Sequence, residues 1–204
     1  EIDETTRLPL VVKALQRVTP LPLQLDTSDP MAMEAALRIY NGKAMVNSVN
    51  GKEKVMDEVF PLVKKYGGVL VCLTLDESVI PEASDGRINI AKRIIAKAEE
   101  YGITRENLVF DPLCMTVSTN KDNAKITLEC IEKLTNDLGV KTVLGVSNVS
   151  FGLPNRELLN SAFFTLAMQK GLSAGIINPK SDAMMNAYYS YCALYGLDEN
   201  FEQY

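Results

Sequence analysis

Asp26, Asn47, Asn50, Asp76, Asp111, Asn148 and Asn178 each stand at or near the end of a short apolar run. Together they offer carboxylate oxygens and amide groups in a chain of 204 residues that contains no histidine. The lack of histidine removes Ser–His and Cys–His nucleophile systems, imidazole bases and His-ligated metals. Carboxylate, amide, Arg, Lys and Tyr chemistry remain, or the chemistry of a bound cofactor. An Asp can accept two N–H bonds from an amino-pyrimidine edge, and an Asn can donate to a ring nitrogen or carbonyl. A ring of such residues therefore suits a planar polar ligand such as a pterin or purine. An Asn can also stand beside a developing charge without titrating. No Lys closes a strand, which disfavours Schiff-base chemistry. A hard metal on Asp26 and Asp111 is set aside, because the set is rich in amides and lacks tight acidic spacing. Taken singly, each of these residues reads first as a turn former or a helix cap, but six strands all ending this way favour a shared role. Asp29, Asp85 and Asp182 are read as caps. Arg156 opens a helix, where a cation opposes the helix dipole, and that favours a ligand role.

The elements that must carry these side chains follow from periodicity. The stretch Val143–Gly152 opens as a buried strand (Thr142 to Val146), ends on a polar tip with Asn148, and is followed by Pro154 and a helix from Arg156 to Lys170. The same design repeats along the chain. Strands are predicted at Leu21–Asp26, Lys43–Val49, Val69–Leu75, Leu108–Phe110 and Ala174–Ile177. Helices are predicted from Met31 to Tyr40, Glu53 to Tyr66, Arg87 to Tyr101, up to Leu138, and from Asp182 to Tyr195. A first helix, Leu8 to Arg17 with Pro9 in its first turn, has no strand before it. Strand and helix alternating about six times imply a parallel sheet with helical crossovers. No Gly-rich phosphate loop follows the first strand, and polar residues close every strand. Both points favour a (β/α)8 barrel over an open nucleotide-binding sheet. Six units do not close such a barrel, so the first two βα units are expected to be missing from the N-terminal side, leaving one incomplete barrel domain over residues 1–204.

Composition bounds the partners. Net charge is -5, from 21 basic and 26 acidic residues, with no Lys/Arg run that would make a nucleic-acid footprint. No apolar run is long enough for a bilayer, and no signal-peptide pattern opens the chain. The four cysteines lack metal-ligand spacing and read as core residues in a reducing cytoplasm. No protein-ligated metal is expected.

The segments Leu23–Pro30, Asn47–Gly51, Phe110–Leu113 and Gly145–Pro154 resemble the pterin-binding methyltransferase family. That family comprises the folate domain of cobalamin-dependent methionine synthase and the methyltetrahydrofolate:corrinoid/iron–sulfur protein methyltransferases, and the resemblance runs over nearly the whole chain. It implies a barrel that binds 5-methyltetrahydrofolate and passes its N5 methyl group to cob(I)alamin on a separate corrinoid protein or domain. It also implies that Asp26, Asn47 and Asp111 hold the pterin ring, that Asn148 approaches N5 as the catalytic residue, and that Arg156 lies near the folate. Asn178, from the set of strand-end residues, is expected as a further substrate contact. Two other readings stand beside it. A dihydropteroate synthase-like enzyme shares the barrel, but its basic, histidine-containing end is not matched by Gly175–Lys180. A non-catalytic folate-binding fragment would need a complementing N-terminal segment or a second copy.

Overall fold

The computed structural model describes residues 3–77 and 80–204. They divide into two compact units, Glu1–Ile80 with Asn89–Phe110, and Pro81–Ile88 with Asp111–Tyr204. Within each, strand and helix alternate as the sequence predicts.

The first unit holds α1 (Glu4–Leu15), β1 (Gln24–Asp26), α2 (Pro30–Ile39), β2 (Ala44–Asn50), α3 (Glu53–Tyr66), β3 (Gly68–Leu73), most of α4 (Ser84–Glu100) and β4 (Leu108–Asp111) up to Phe110. Helix α1 starts earlier than the predicted Leu8, because the Asp3 side chain accepts the Thr6 N–H at 3.2 Å and caps it there. Pro9 consequently lies inside the helix, not in its first turn, and removes one helical hydrogen bond. Asp29 caps α2 as expected, accepting the Met31 N–H at 2.9 Å. Strands β1 and β2 are parallel, with Leu25 opposite Val46 and Asp26 opposite Asn47. Strands β2 and β3 are also parallel, and their register slips between Asn47 and Val49. A slip of this kind re-aims the side chains around it. Val46, Phe60, Leu70 and Ile94 are fully buried; burying a side chain such as Phe60 contributes about 1.5–3 kcal/mol.

The second unit holds Pro81–Ile88, which includes the first turn of α4, then α5 (Asn123–Asn136), β5 (Lys141–Gly145), a 3-10 turn (Val146–Ser150), α6 (Arg156–Gln169), β6 (Ala174–Ile176) and α7 (Asp182–Leu194). Strands β5 and β6 are parallel, with Leu144 opposite Gly175. Its core gathers Ile131, Leu144, Val146, Val149, Phe163 and Ala167. Two expected caps are corrected here. Asp85 lies within the first turn of α4 and binds the Lys133 ammonium at 2.7 Å. Ser181, not Asp182, occupies the cap position of α7. The loop expected from Asp76 to Asp85 gives way to helix at Ser84, and its positions 78 and 79 lie outside the described residues. Cys72, Cys114 and Cys130 are buried free thiols, as a core role requires, whereas Cys192 on α7 is only half-buried. No helix among the described residues is long and apolar enough to cross a membrane.

Candidate functional site

Each unit carries its own strand-end residues. In the first, Asp26 and Asn47 are register partners on parallel strands, so their side chains project from the same face of the sheet. Asp26 is exposed and Asn47 half-buried. The backbone just past them is tied down, because the Thr27 N–H donates to the Asn47 carbonyl at 3.1 Å. The Thr27 hydroxyl, itself buried, donates to Glu4. Asn50 and Asp76 serve the local structure. Asn50 Oδ1 accepts the Lys52 N–H at 3.0 Å, and Asp76 lies 3.4 Å from the Arg93 guanidinium.

In the second unit Asp111 closes β4 and accepts the Leu113 N–H at 2.8 Å. Burial pushes its carboxyl up to about 6, against the opposing pull of the Leu113 N–H and the nearby Arg87 guanidinium. Leu113 itself is left-handed, with φ 63°. Arg87 was not singled out in the sequence, although it falls on the buried stripe of α4 with Ala91, Ile94 and Ala98. A cation at that spacing is the signal that would have found it. It is only 1% exposed. Its Nη1 donates to the Pro112 and Leu113 carbonyls, both at 2.7 Å, and its Nε to the Pro81 carbonyl at 2.9 Å.

Asn148 sits exposed on the 3-10 turn after β5. That turn is strapped from several sides. Arg156 Nε donates to Ser150 Oγ at 3.0 Å and its Nη2 to the Ser147 carbonyl at 2.8 Å. The buried Ser150 hydroxyl donates to Asn160 Oδ1 at 2.7 Å. The Thr116 hydroxyl donates to the Phe151 carbonyl at 2.7 Å, and the Val117 N–H to the Val149 carbonyl at 2.9 Å. The Arg156 guanidinium also lies 5.7 Å from the Phe151 ring centre. These bonds offset the unfavourable dipole position of Arg156 and make it part of the strap. Arg156 and Asn178 line one cavity of about 440 Å³ with Ser147, Glu157, Asn160 and Ser181. Asn178 Oδ1 accepts the Lys180 N–H at 3.1 Å, the bond of a turn former. Among the described residues, the Asp26, Asn47 and Asn148 side chains make no such local bond, which leaves their polar atoms available to a ligand. No group of three or more Cys, Asp or Glu side chains among the described residues is placed to hold a metal ion.

A family model described as "Pterin binding enzyme" matches residues 1–178. The methylcorrinoid:tetrahydrofolate methyltransferase of Eubacterium limosum is 31% identical over 206 residues, covering 98% of this chain and 75% of the relative. A methionine synthase of Mycobacterium tuberculosis is 28% identical over 197 residues; these cover 90% of this chain but only 16% of that longer protein. Among solved structures, the dihydropteroate synthase of Xanthomonas albilineans in complex with 7,8-dihydropteroate superimposes with a TM-score of 0.71 at 24% identity, over 92% of this chain and 74% of the other. That of Stenotrophomonas maltophilia gives 0.73 at 20% identity, over 93% and 75%. At these identities the likeness shows the fold, and it is the α/β barrel fold expected from the strand–helix repeats.

Proposed function

Because the chain belongs to the pterin-binding enzyme family, we propose that it moves the N5 methyl group between 5-methyltetrahydrofolate and a corrinoid carried by a partner protein or domain. The observation that carries this reading is Asn148. It is exposed on a turn held by Arg156, Ser150 and the 116–118 loop, with its amide uncommitted to that turn. A tertiary ring nitrogen is a poor leaving group until it is protonated. An amide held rigidly beside N5 can accept a hydrogen bond from it as it gains its proton, without titrating itself. The corrinoid, when bound, supplies the cobalt nucleophile. The N5–methyl bonding pair stays on nitrogen, where the proton neutralises it. Transfer in the opposite direction passes through the same transition state and uses the same groups. Asp111 accepts N–H bonds from the amino-pyrimidine edge as a carboxylate, and Asp26 and Asn47 contribute the acceptor and amide of their shared face to ring recognition. Arg156 and Asn178 add contacts from their cavity.

The test is a pair of measurements on Asn148→Ala: titration calorimetry with 5-methyltetrahydrofolate, and single-turnover methyl transfer with free cob(I)alamin followed by absorbance. The expected result is a rate loss of about 10²-fold or more with folate affinity changed only a few-fold. Equal losses in both would remove Asn148 from the chemistry. Wild-type protein that binds no folate would remove the whole reading. A dihydropteroate synthase activity is supported by fold likeness alone, and formation of 7,8-dihydropteroate by condensation on a pterin substrate would establish it in place of methyl transfer.

A further inference from the structure

The largest fully buried side chain among the described residues is a cation, Arg87. A guanidinium is costly to desolvate, and an apolar side chain of similar size would fill the same space without that cost. Something in its surroundings must use the charge and the fork of donors. The three acceptors are all backbone carbonyls: Pro81 through Nε, and Pro112 and Leu113 through Nη1. Pro112 and Leu113 directly follow Asp111, and Leu113 is held left-handed, where a branched side chain is disfavoured. The Leu113 N–H returns to Asp111 Oδ1. Carboxylate, left-handed residue and guanidinium thus close a ring of contacts. The Asp111 side chain caps the turn from one side, and the Arg87 fork pins its carbonyls from the other.

We propose that Arg87 is a positioning residue for Asp111, clamping the Pro112–Leu113 turn so that the carboxylate is held in the orientation that meets the amino-pyrimidine edge of the pterin. The proposal rests on the pterin reading of Asp111 for its ligand, but the clamp itself does not. Among the described residues, Arg87 is the cation that faces Asp111, and the Cys114 and Cys130 thiols are the other titratable groups facing it. Burial pushes both thiols up to about 12, so they stay neutral near pH 7. The Leu113 N–H and, after it, the Arg87 charge hold the Asp111 carboxyl below where burial alone would put it. Lysine at position 87 would keep the charge but lose the planar fork that reaches two carbonyls from one nitrogen and a third from another.

The test uses the whole chain and two variants, Arg87→Lys and Arg87→Met. The Leu113 backbone amide, which donates to Asp111, serves as an NMR reporter of the carboxyl's titration, and this readout needs no folate. In wild type its shift should titrate near pH 6. In R87M the midpoint should move upward, because the cation is gone. In R87K it should stay closer to wild type while 5-methyltetrahydrofolate binding weakens by about ten- to a hundredfold, the loss expected for a misaimed charge-assisted hydrogen bond. Variants that melt cooperatively yet keep both the wild-type titration and the wild-type folate affinity would overturn the assignment. Loss of the cooperative melt in both variants would make Arg87 a residue of the fold and overturn it too. A shifted titration in a protein whose wild type binds no folate would uphold the clamp on Asp111 and discard the pterin reading instead.

Discussion

Replacing Asp111 by Asn should make the protein more stable at neutral pH while it loses affinity for its ligand. The Asp111 carboxyl rises from the ordinary 3.8 to about 6, chiefly because it is buried. Its ionisation therefore works against the folded state. The sign follows from linkage. The folded group binds its proton more tightly than the unfolded one, so its contribution is most favourable below about pH 4 and is lost as pH rises through about 6. A rise of roughly two pH units corresponds to about 3 kcal/mol. This is a ceiling, because Asp111 keeps some contact with solvent and because Asn would deprive Arg87 of a neighbouring anion. Asn preserves the shape and an oxygen that can still accept the Leu113 N–H. Urea denaturation of wild type and D111N at pH 4, 5, 6, 7 and 8 isolates the effect, since other carboxylates contribute alike to both. The difference between them should change in favour of D111N as pH rises from 4 to 8. A difference constant across that range would refute the burial argument. A wild type that gains on D111N above pH 6 would mean that Arg87 outweighs burial.

Two further outcomes test the framework around the site. Ser150→Ala removes the hydroxyl that joins Asn160 to Arg156 beneath the Asn148 turn; urea denaturation should show a loss of about 1–3 kcal/mol, and methyl transfer should slow with it, whereas an unchanged rate would make the strap irrelevant to Asn148. Gly51→Ala places a Cβ 2.8 Å from Arg93 and Ile90 side-chain atoms and 3.0 Å from the Leu75 carbonyl; a thermal or urea melt should show about 1–3 kcal/mol of destabilisation, and a neutral result would mean that α4 yields locally.

The repeat of strand and helix was legible because both periodicities are strong and each unit ends on a stop signal such as Gly67, Gly102 or Gly139, all at positive φ. The predicted helix over Glu53–Tyr66 matches α3 at both ends. The errors fall where a distant or unobtrusive partner decides. Helix α1 starts early because of a cap at Asp3 in a polar stretch with no apolar periodicity. Asp85 looked like a cap but is held by Lys133, 48 residues further on. Arg87 drew no attention because its acceptors at Pro112 and Leu113 lie 25 and 26 residues away. The local sequence shows only a cation on the apolar stripe of α4, and its carbonyl partners are not announced there.

The strand-end residues look alike in sequence, and the structure separates them by one test: whether the side chain is consumed by an N–H two residues on. Asn50, Asn178 and Asp111 accept such bonds from Lys52, Lys180 and Leu113. For the exposed, unstrained Asn178 this bond is that of a turn former and uses only Oδ1, so its amide nitrogen stays open to the cavity it lines with Arg156. Asp111 differs in kind. It is held away from solvent enough to shift its titration, its turn carries a left-handed Leu, and a buried Arg grips the far side of that turn. A turn needs none of those costly features, and they are what the proposed ligand role of Asp111 calls for. Asp26, Asn47 and Asn148 make the converse case. They stand at strand ends with backbone neighbours tied down and side chains uncommitted among the described residues. Rigid backbone beneath a free polar side chain is the arrangement that ligand recognition requires and that folding alone does not.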